Sequence, residues 1–174
     1  MENISSISKY LEKYSIFYLS KYSVTKQKFK KILERKITKD IKARKILTNQ
    51  IDECNKQIAV LIDKFVNVKI IDEEKQIKFR IDYLISKGSS LKKIFYVLTK
   101  DLYEKHLIES ELNDLKNIVD FESQLIETYC RKKKLAMFDK KFDKKDAIQV
   151  NKIIKKLLVE GFSMDNSKKF IYKS

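Results

Sequence analysis

The chain contains no proline and only two glycines in 174 residues. Sheet-rich folds draw on both residues for their turns, so this scarcity excludes an all-β or α/β architecture and leaves helix. The single histidine, His106, has no second candidate ligand or base near it and reads as a surface or helix-end residue. The two cysteines, Cys54 and Cys130, lack metal-ligand spacing and read as free thiols of a reducing compartment. There is no histidine pair, glycine-rich phosphate loop or nucleophile motif, so the expectation is a protein that is not an enzyme and uses no cofactor and no metal. No window of 18 apolar residues exists, which predicts no membrane span. The opening MENISSISKYLEKY lacks the apolar core of a secretory signal. A cytoplasmic location is expected.

What the chain does have is apolar periodicity and positive charge. Hydrophobic residues make up 43% of it, enough for a core, and the formal net charge is +15. That charge is unevenly placed. Residues 1–50 hold 13 Lys/Arg against 4 Asp/Glu, residues 51–130 hold 12 against 15, and residues 131–174 hold 14 against 5. Two basic ends flank a middle that is near neutral, as expected of a chain that touches an extended polyanion, or a protein–polyanion assembly, at two places. The competing reading is a solvated lysine-rich surface with no partner: only Arg35, Arg44, Arg80 and Arg131 are arginine.

The central stretch, Asp72 to Leu102, reads as a helix–turn–helix unit. Asp72, Glu73 and Glu74 favour a helix start. Ile77, Ile81, Leu84 and Ile85 form an apolar stripe. Lys87-Gly88-Ser89-Ser90 breaks the helix, with Gly88 free to take a positive φ and Ser89 or Ser90 placed to cap the next helix. Ile94, Val97, Leu98 and Leu102 then line the second helix. The same apolar spacing occurs earlier at Phe29, Ile32, Leu33 and Ile37 and later at Ile154, Leu157, Leu158 and Phe162, at separations of 65 and 60 residues. Ile16, Tyr18 and Leu19 likewise stand 65 positions before Ile81, Tyr83 and Leu84. Three matches in register predict tandem helical units, each burying its face partly on its neighbour.

Around this unit, residues 8–20 are expected to be helical, with Leu11, Tyr14, Phe17 and Tyr18 buried and Tyr22 and Ser23 closing the helix. Thr25 is placed to cap a helix that turns Phe29, Ile32, Leu33 and Ile37 inward. Residues 38–66 fit either one long helix or two, the second capped by Thr48, and Asn67 is the expected left-handed stop. Leu107, Leu112 and Leu115 mark a short third helix. Phe121, Leu125, Ile126 and Tyr129 line the next, which ends in the cationic run Arg131–Lys134. FDKKFDKK at 138–145 reads as a loop, 147–160 as a helix ended by Gly161, and Ser163 or Asp165 as the start of a last short helix.

Three passages together resemble the bacterial recombination regulator RecX, in its alphaproteobacterial form. KYSVTKQKFKKILERKI at 21–37 is similar to that family's Tyr-Ala-x-Ser-x-x-x-Leu-Arg-Arg-x-Leu-x-Arg-Arg-Val run. IIDEEKQIKFRIDYLISKGSSLKKI at 70–94 resembles the hydrophobic-Asp-Asp opening, the Arg-Gly-x-Ser turn and the basic-basic-Ile start of the middle repeat. CRKKKLAMF at 130–138 and KKLLVEGFS at 155–163 resemble the last repeat's basic run and Gly-Phe-Ser turn. The chain departs from the family at Lys69, where glycine is usual and Asn67 is a candidate substitute. It departs again at Gln76, where an aromatic is common, and in carrying lysine for most arginines, which removes bidentate contacts.

The resemblance implies an all-α fold of three tandem three-helix repeats, 1–68, 69–117 and 118–174, forming an elongated, curved array. It implies a protein that lies in the groove of the RecA–DNA filament and lowers ATPase and strand exchange by hindering filament growth or destabilising it; a monomer is expected because repeat arrays with polar ends usually are. The partners implied are the RecA filament and the backbone of single- and double-stranded DNA. The site residues expected are Arg35 and Lys36 in the first repeat, Lys92 and Lys93 in the second, and Arg131, Lys132, Lys133 and Lys134 in the third, all as electrostatic contacts. The alternative is a helical nucleic-acid-binding protein that acts without RecA; a scaffold with incidental charge is a third class.

Overall fold

The computed structural model describes residues 2–173, with side chains from Ile7 onward. The described residues form helices and connections without strands: α1 (Glu2–Leu19), α2 (Lys26–Lys42), α3 (Ile51–Asn67), α4 (Glu73–Ser86), α5 (Leu91–Lys100), α6 (Lys105–Lys116), α7 (Phe121–Lys133), α8 (Ala147–Glu160) and α9 (Met164–Lys173). Short 3₁₀ turns at Thr48–Gln50 and Ala136–Phe138 precede α3 and follow α7. The chain divides into two compact units, residues 1–76 and 77–174.

In the first unit one core gathers apolar residues of α1, α2 and α3, with Phe29, Leu11, Leu33 and Ile58 fully enclosed. Thr25 caps α2 by accepting from the Lys28 N–H, and Glu73 accepts from the Lys26 N–H at 2.6 Å. Part of the expected acidic helix start is thus spent on another helix, while Asp72 accepts from the Lys75 N–H at 3.0 Å and opens α4. Residues 38–66 are two helices. The chain leaves α2 at Lys42, turns through Arg44 at φ 56°, and re-enters helix at Ile51.

Two cores lie in the second unit. Ile77, Ile81, Leu84, Ile94, Leu98, Ile108 and Leu112 build one from α4, α5 and α6. Leu125, Ile126, Cys130, Val150, Ile154, Leu157 and Phe162 lead the other, from α7, α8 and α9. Ile85 and Leu91 pack against both.

Several expected inward residues face elsewhere. Phe17 is exposed and holds the Lys21 ammonium 4.1 Å from its ring centroid, while Ser15 takes the buried place beside Leu11. Ile16 is 55% exposed and Ile81 is buried, so the 65-residue register fails for the first helices. Burial instead aligns Leu11, Ser15 and Tyr18 with Ile77, Ile81 and Leu84, one residue further on. The connection at 20–25 is longer than that at 87–90, which accounts for the slip. In α6 the buried pair is Ile108 and Leu112, with Leu107 and Leu115 at the margin. α8 has 14 residues against 10 in α5, so the two match from their C-terminal ends, with one extra turn at the start of α8.

Six helix ends follow one rule. After α2, α3, α4, α5, α7 and α8 a residue takes positive φ: Arg44, Lys69, Gly88, Leu102, Lys134 and Gly161. In each case the next N–H donates to the carbonyl five residues back, such as Ile70 to Phe65 at 2.9 Å and Ser89 to Leu84 at 3.0 Å. The left-handed stop of α3 is therefore Lys69; Asn67 remains inside the helix. α1 ends at Leu19, short of Tyr22.

Glycine is kept for the two ends where space is also missing. A Cβ on Gly88 would lie 2.4 Å from the Tyr129 backbone nitrogen, and one on Gly161 would lie 2.6 Å from Ser90 Oγ. Two substitutions should therefore move stability in opposite directions under urea. Gly88→Ala should lose at least about 2 kcal/mol through the backbone clash and the strained φ. Lys69→Gly should gain about 0.5–1 kcal/mol by relieving a left-handed side-chain penalty.

Candidate functional site

The sequence-expected cations fall into different roles. Arg35 is exposed on α2 and has no ion pair among the described residues. Lys36 turns inward from α2 toward α1. Its ammonium donates to both oxygens of Asp40 and to the Tyr10 hydroxyl, which itself donates to Asp40 Oδ2 at 2.7 Å. It also lies 4.9 and 5.4 Å from the ring centroids of Tyr10 and Tyr14. Burial alone would push the Asp40 carboxyl up, but hydrogen bonds from Lys36 and Tyr10 outweigh it and hold the group below the ordinary carboxylate range. Lys36 thus clamps α2 to α1 rather than facing a partner.

The sign of the pH effect follows. A carboxyl depressed in the folded state stabilises fully above its unfolded pKa, and that stability is lost as pH falls through the folded value. Asp40→Asn should flatten the dependence of stability on pH below about 4, and should lower stability at pH 7 because Lys36 loses its anion. Urea melts at pH 3 and pH 7 check both.

In the second unit Lys93 and Lys132 are brought into one seam between α4–α5 and α7–α8. Ser90 caps α5 by accepting from the Lys93 N–H at 3.1 Å, and its hydroxyl donates to the Glu160 carbonyl at 2.5 Å. Lys93 Nζ reaches Glu160 Oε2 at 2.6 Å, neutralising a carboxylate that is nearly enclosed. The Gly88 turn rests on the Tyr129 backbone. Lys132 donates its ammonium to the Ser86 carbonyl, where the end of α4 presents negative potential. Tyr129 stacks edge-on with Phe162 at 6.0 Å. Burial, reinforced by the Glu160 carboxylate, pushes its phenol above the ordinary value, so it stays a neutral donor.

Beside this seam opens a cleft of about 360 Å³ lined by Tyr129, Lys152, Lys155, Lys156, Val159 and Glu160. Glu160 is already paired with Lys93. Lys152, Lys155 and Lys156 are exposed and have no ion pair among the described residues. Their i, i+3, i+4 spacing puts three ammonium groups on one face of α8, with Val159, 90% exposed, at its end. Such a face offers point charges to phosphate oxygens without bidentate geometry. The sequence reading missed these lysines because α8 was read only for its apolar positions, although the spacing was legible.

The remaining expected residues do not join the cleft's lining. Lys92 is exposed beside Gly161 and lines another cavity, of about 430 Å³, whose other charged residues are Lys116, Asp120 and Glu122. Glu122 is engaged there, accepting from the Ser163 N–H at 2.7 Å and so helping to start α9. Arg131 is held by Glu127 and lies 5.5 Å from the Phe138 ring centroid. Lys133 and Lys134 are exposed at the end of α7. His106 is a surface residue 3.3 Å from Glu104. Both cysteines are buried and unpaired, and burial pushes the Cys130 thiol up to about 12.

Among the described residues no group of three His, Cys, Asp or Glu could hold a metal ion, and no helix is long and apolar enough to cross a membrane. No protein-family model, curated protein or solved structure matches the chain.

If this face takes phosphates, replacing Lys152, Lys155 and Lys156 together by Gln should lower the slope of log K against log salt for duplex DNA by roughly 2–3, one counterion per lost phosphate contact. Anisotropy titrations at several salt concentrations check this. Lys36→Gln should leave the slope unchanged.

Proposed function

We propose that the chain is a modulator of the RecA–DNA filament of the RecX kind. In this reading it is a cytoplasmic monomer built of three tandem three-helix repeats in an elongated, curved array. It lies in the filament groove and hinders growth or loosens the filament. The observation that carries the reading is that α1–α3, α4–α6 and α7–α9 each enclose a core of their own. A chain of three consecutive helix triplets is what the resemblance implies. Lys69 adds support: it adopts φ 57° at the position where the family has glycine, so the departure in residue keeps the backbone that glycine would provide. The Gly88 turn, the Ser90 cap and the following Lys92–Lys93 pair also stand where the resemblance puts them.

The contact surface proposed for filament acidic patches or the DNA backbone consists of Lys152, Lys155 and Lys156, with Lys133 and Lys134 at the end of α7 and Lys92 at the start of α5. Arg35 is one of the exposed cations of the first unit. Lys36, Lys93 and Lys132 act through the fold, since their ammonium groups are engaged internally. The uncompensated lysine face also favours a second reading, a helical nucleic-acid-binding protein acting without RecA.

DNA-dependent ATP hydrolysis by a bacterial RecA, with the chain titrated in, separates the two. Filament modulation predicts inhibition at protein concentrations well below the dissociation constant for free DNA. Reversal of Lys152, Lys155 and Lys156 to Glu should raise the inhibitory concentration about tenfold, a change of about 1.4 kcal/mol. Salt-sensitive DNA binding without inhibition would move the assignment to the second reading.

A further inference from the structure

We infer that the outer face of α4 is a base-stacking platform for single-stranded nucleic acid. The inference rests on the polyanion reading above and names which polyanion the second unit takes. Phe79 and Tyr83 stand one helical turn apart, 65% and 51% exposed. That spacing separates their Cα atoms by about 6 Å along the helix axis and puts both residues on one side. No core residue is gained by putting aromatics there. The opposite stripe, Ile77, Ile81 and Leu84, already packs α4 against its own core.

Cations border the Tyr83 ring. Lys87 Nζ lies 5.1 Å and the Arg80 guanidinium 5.6 Å from the Tyr83 ring centroid. Lys132 reaches the Ser86 carbonyl at the same end of α4. Arg80 is 3.4 Å from Asp101, and both side chains keep access to solvent. Phe79 carries no cation or aromatic partner among the described residues. An exposed ring pair bordered by cations is the composition with which proteins hold single strands: bases stack on ring faces, and ammonium or guanidinium groups take the phosphates. A duplex keeps its bases stacked on one another and cannot use the rings. Bound bases would displace Lys87 and Arg80 from the Tyr83 ring and leave them directed at the backbone.

The chain has no tryptophan, so a single substitution reports on the site. In the full chain, F79W emission should be quenched on addition of oligothymidylate, saturating with binding followed by anisotropy. Y172W, an exposed control near the chain end, should not respond. F79A/Y83A should weaken oligothymidylate binding about tenfold or more while duplex binding changes little. Its circular dichroism melt should stay at the parent value, since both side chains are exposed. Oligothymidylate binding without F79W quenching, or with equal quenching of Y172W, would overturn the platform and leave the polyanion reading standing. No oligonucleotide binding by either signal would overturn both. An F79W emission shift that follows protein concentration without nucleic acid would assign the face to a second copy of the chain and overturn the proposal.

Discussion

Backbone approach at two glycines governs the second unit. At Gly88 the end of α4 meets the Tyr129 backbone, and at Gly161 the end of α8 meets the Ser90 hydroxyl. Neither contact leaves room for a methyl group. Together they set α5 against α8 closely enough for Ser90 to cap its own helix and also bond the Glu160 carbonyl. The Lys93–Glu160 pair then closes across the same seam. Both glycines are used here, so four other helix ends take left-handed φ at Arg44, Lys69, Leu102 and Lys134. Each such residue costs about 1–2 kcal/mol relative to an unstrained backbone.

Internal pairing also sorts the charge. A surplus of +15 says little about binding until each ammonium is assigned. Lys36, Lys93 and Lys132 satisfy Asp40, Glu160 and the Ser86 carbonyl and so hold helices together. Lys152, Lys155 and Lys156 share one exposed face and have no ion pair among the described residues. The internally engaged lysines fix the geometry, and the uncompensated ones give that geometry an electrostatic preference. Because these groups are lysines, the preference is for charge density rather than for a particular planar anion.

Helical class, the Thr25 and Ser90 caps and both glycine turns were legible in the sequence, because each rests on local chemistry. The stop at Lys69 was not, since positive φ there is imposed by the closing hydrogen bonds and lysine carries no local signal for it. The exposure of Ile16 and burial of Ser15 were hidden by a one-residue shift in register between the first helices, which rotates a helix without altering its apolar content. Of the expected site, Lys92, Lys133 and Lys134 are exposed, but composition could not reveal that Lys36 faces a buried carboxylate. Partner choice within a charged cluster is settled by packing, and sequence spacing alone does not carry it.

The most direct test of the central claim is hydrogen exchange of the chain with and without a RecA filament on single-stranded DNA. A filament modulator that binds through the exposed lysines of the second unit predicts slowed exchange at the start of α5, the end of α7 and along α8, beyond the effect of DNA alone. Exchange that is unchanged by the filament, or changed only as DNA alone changes it, would contradict the account.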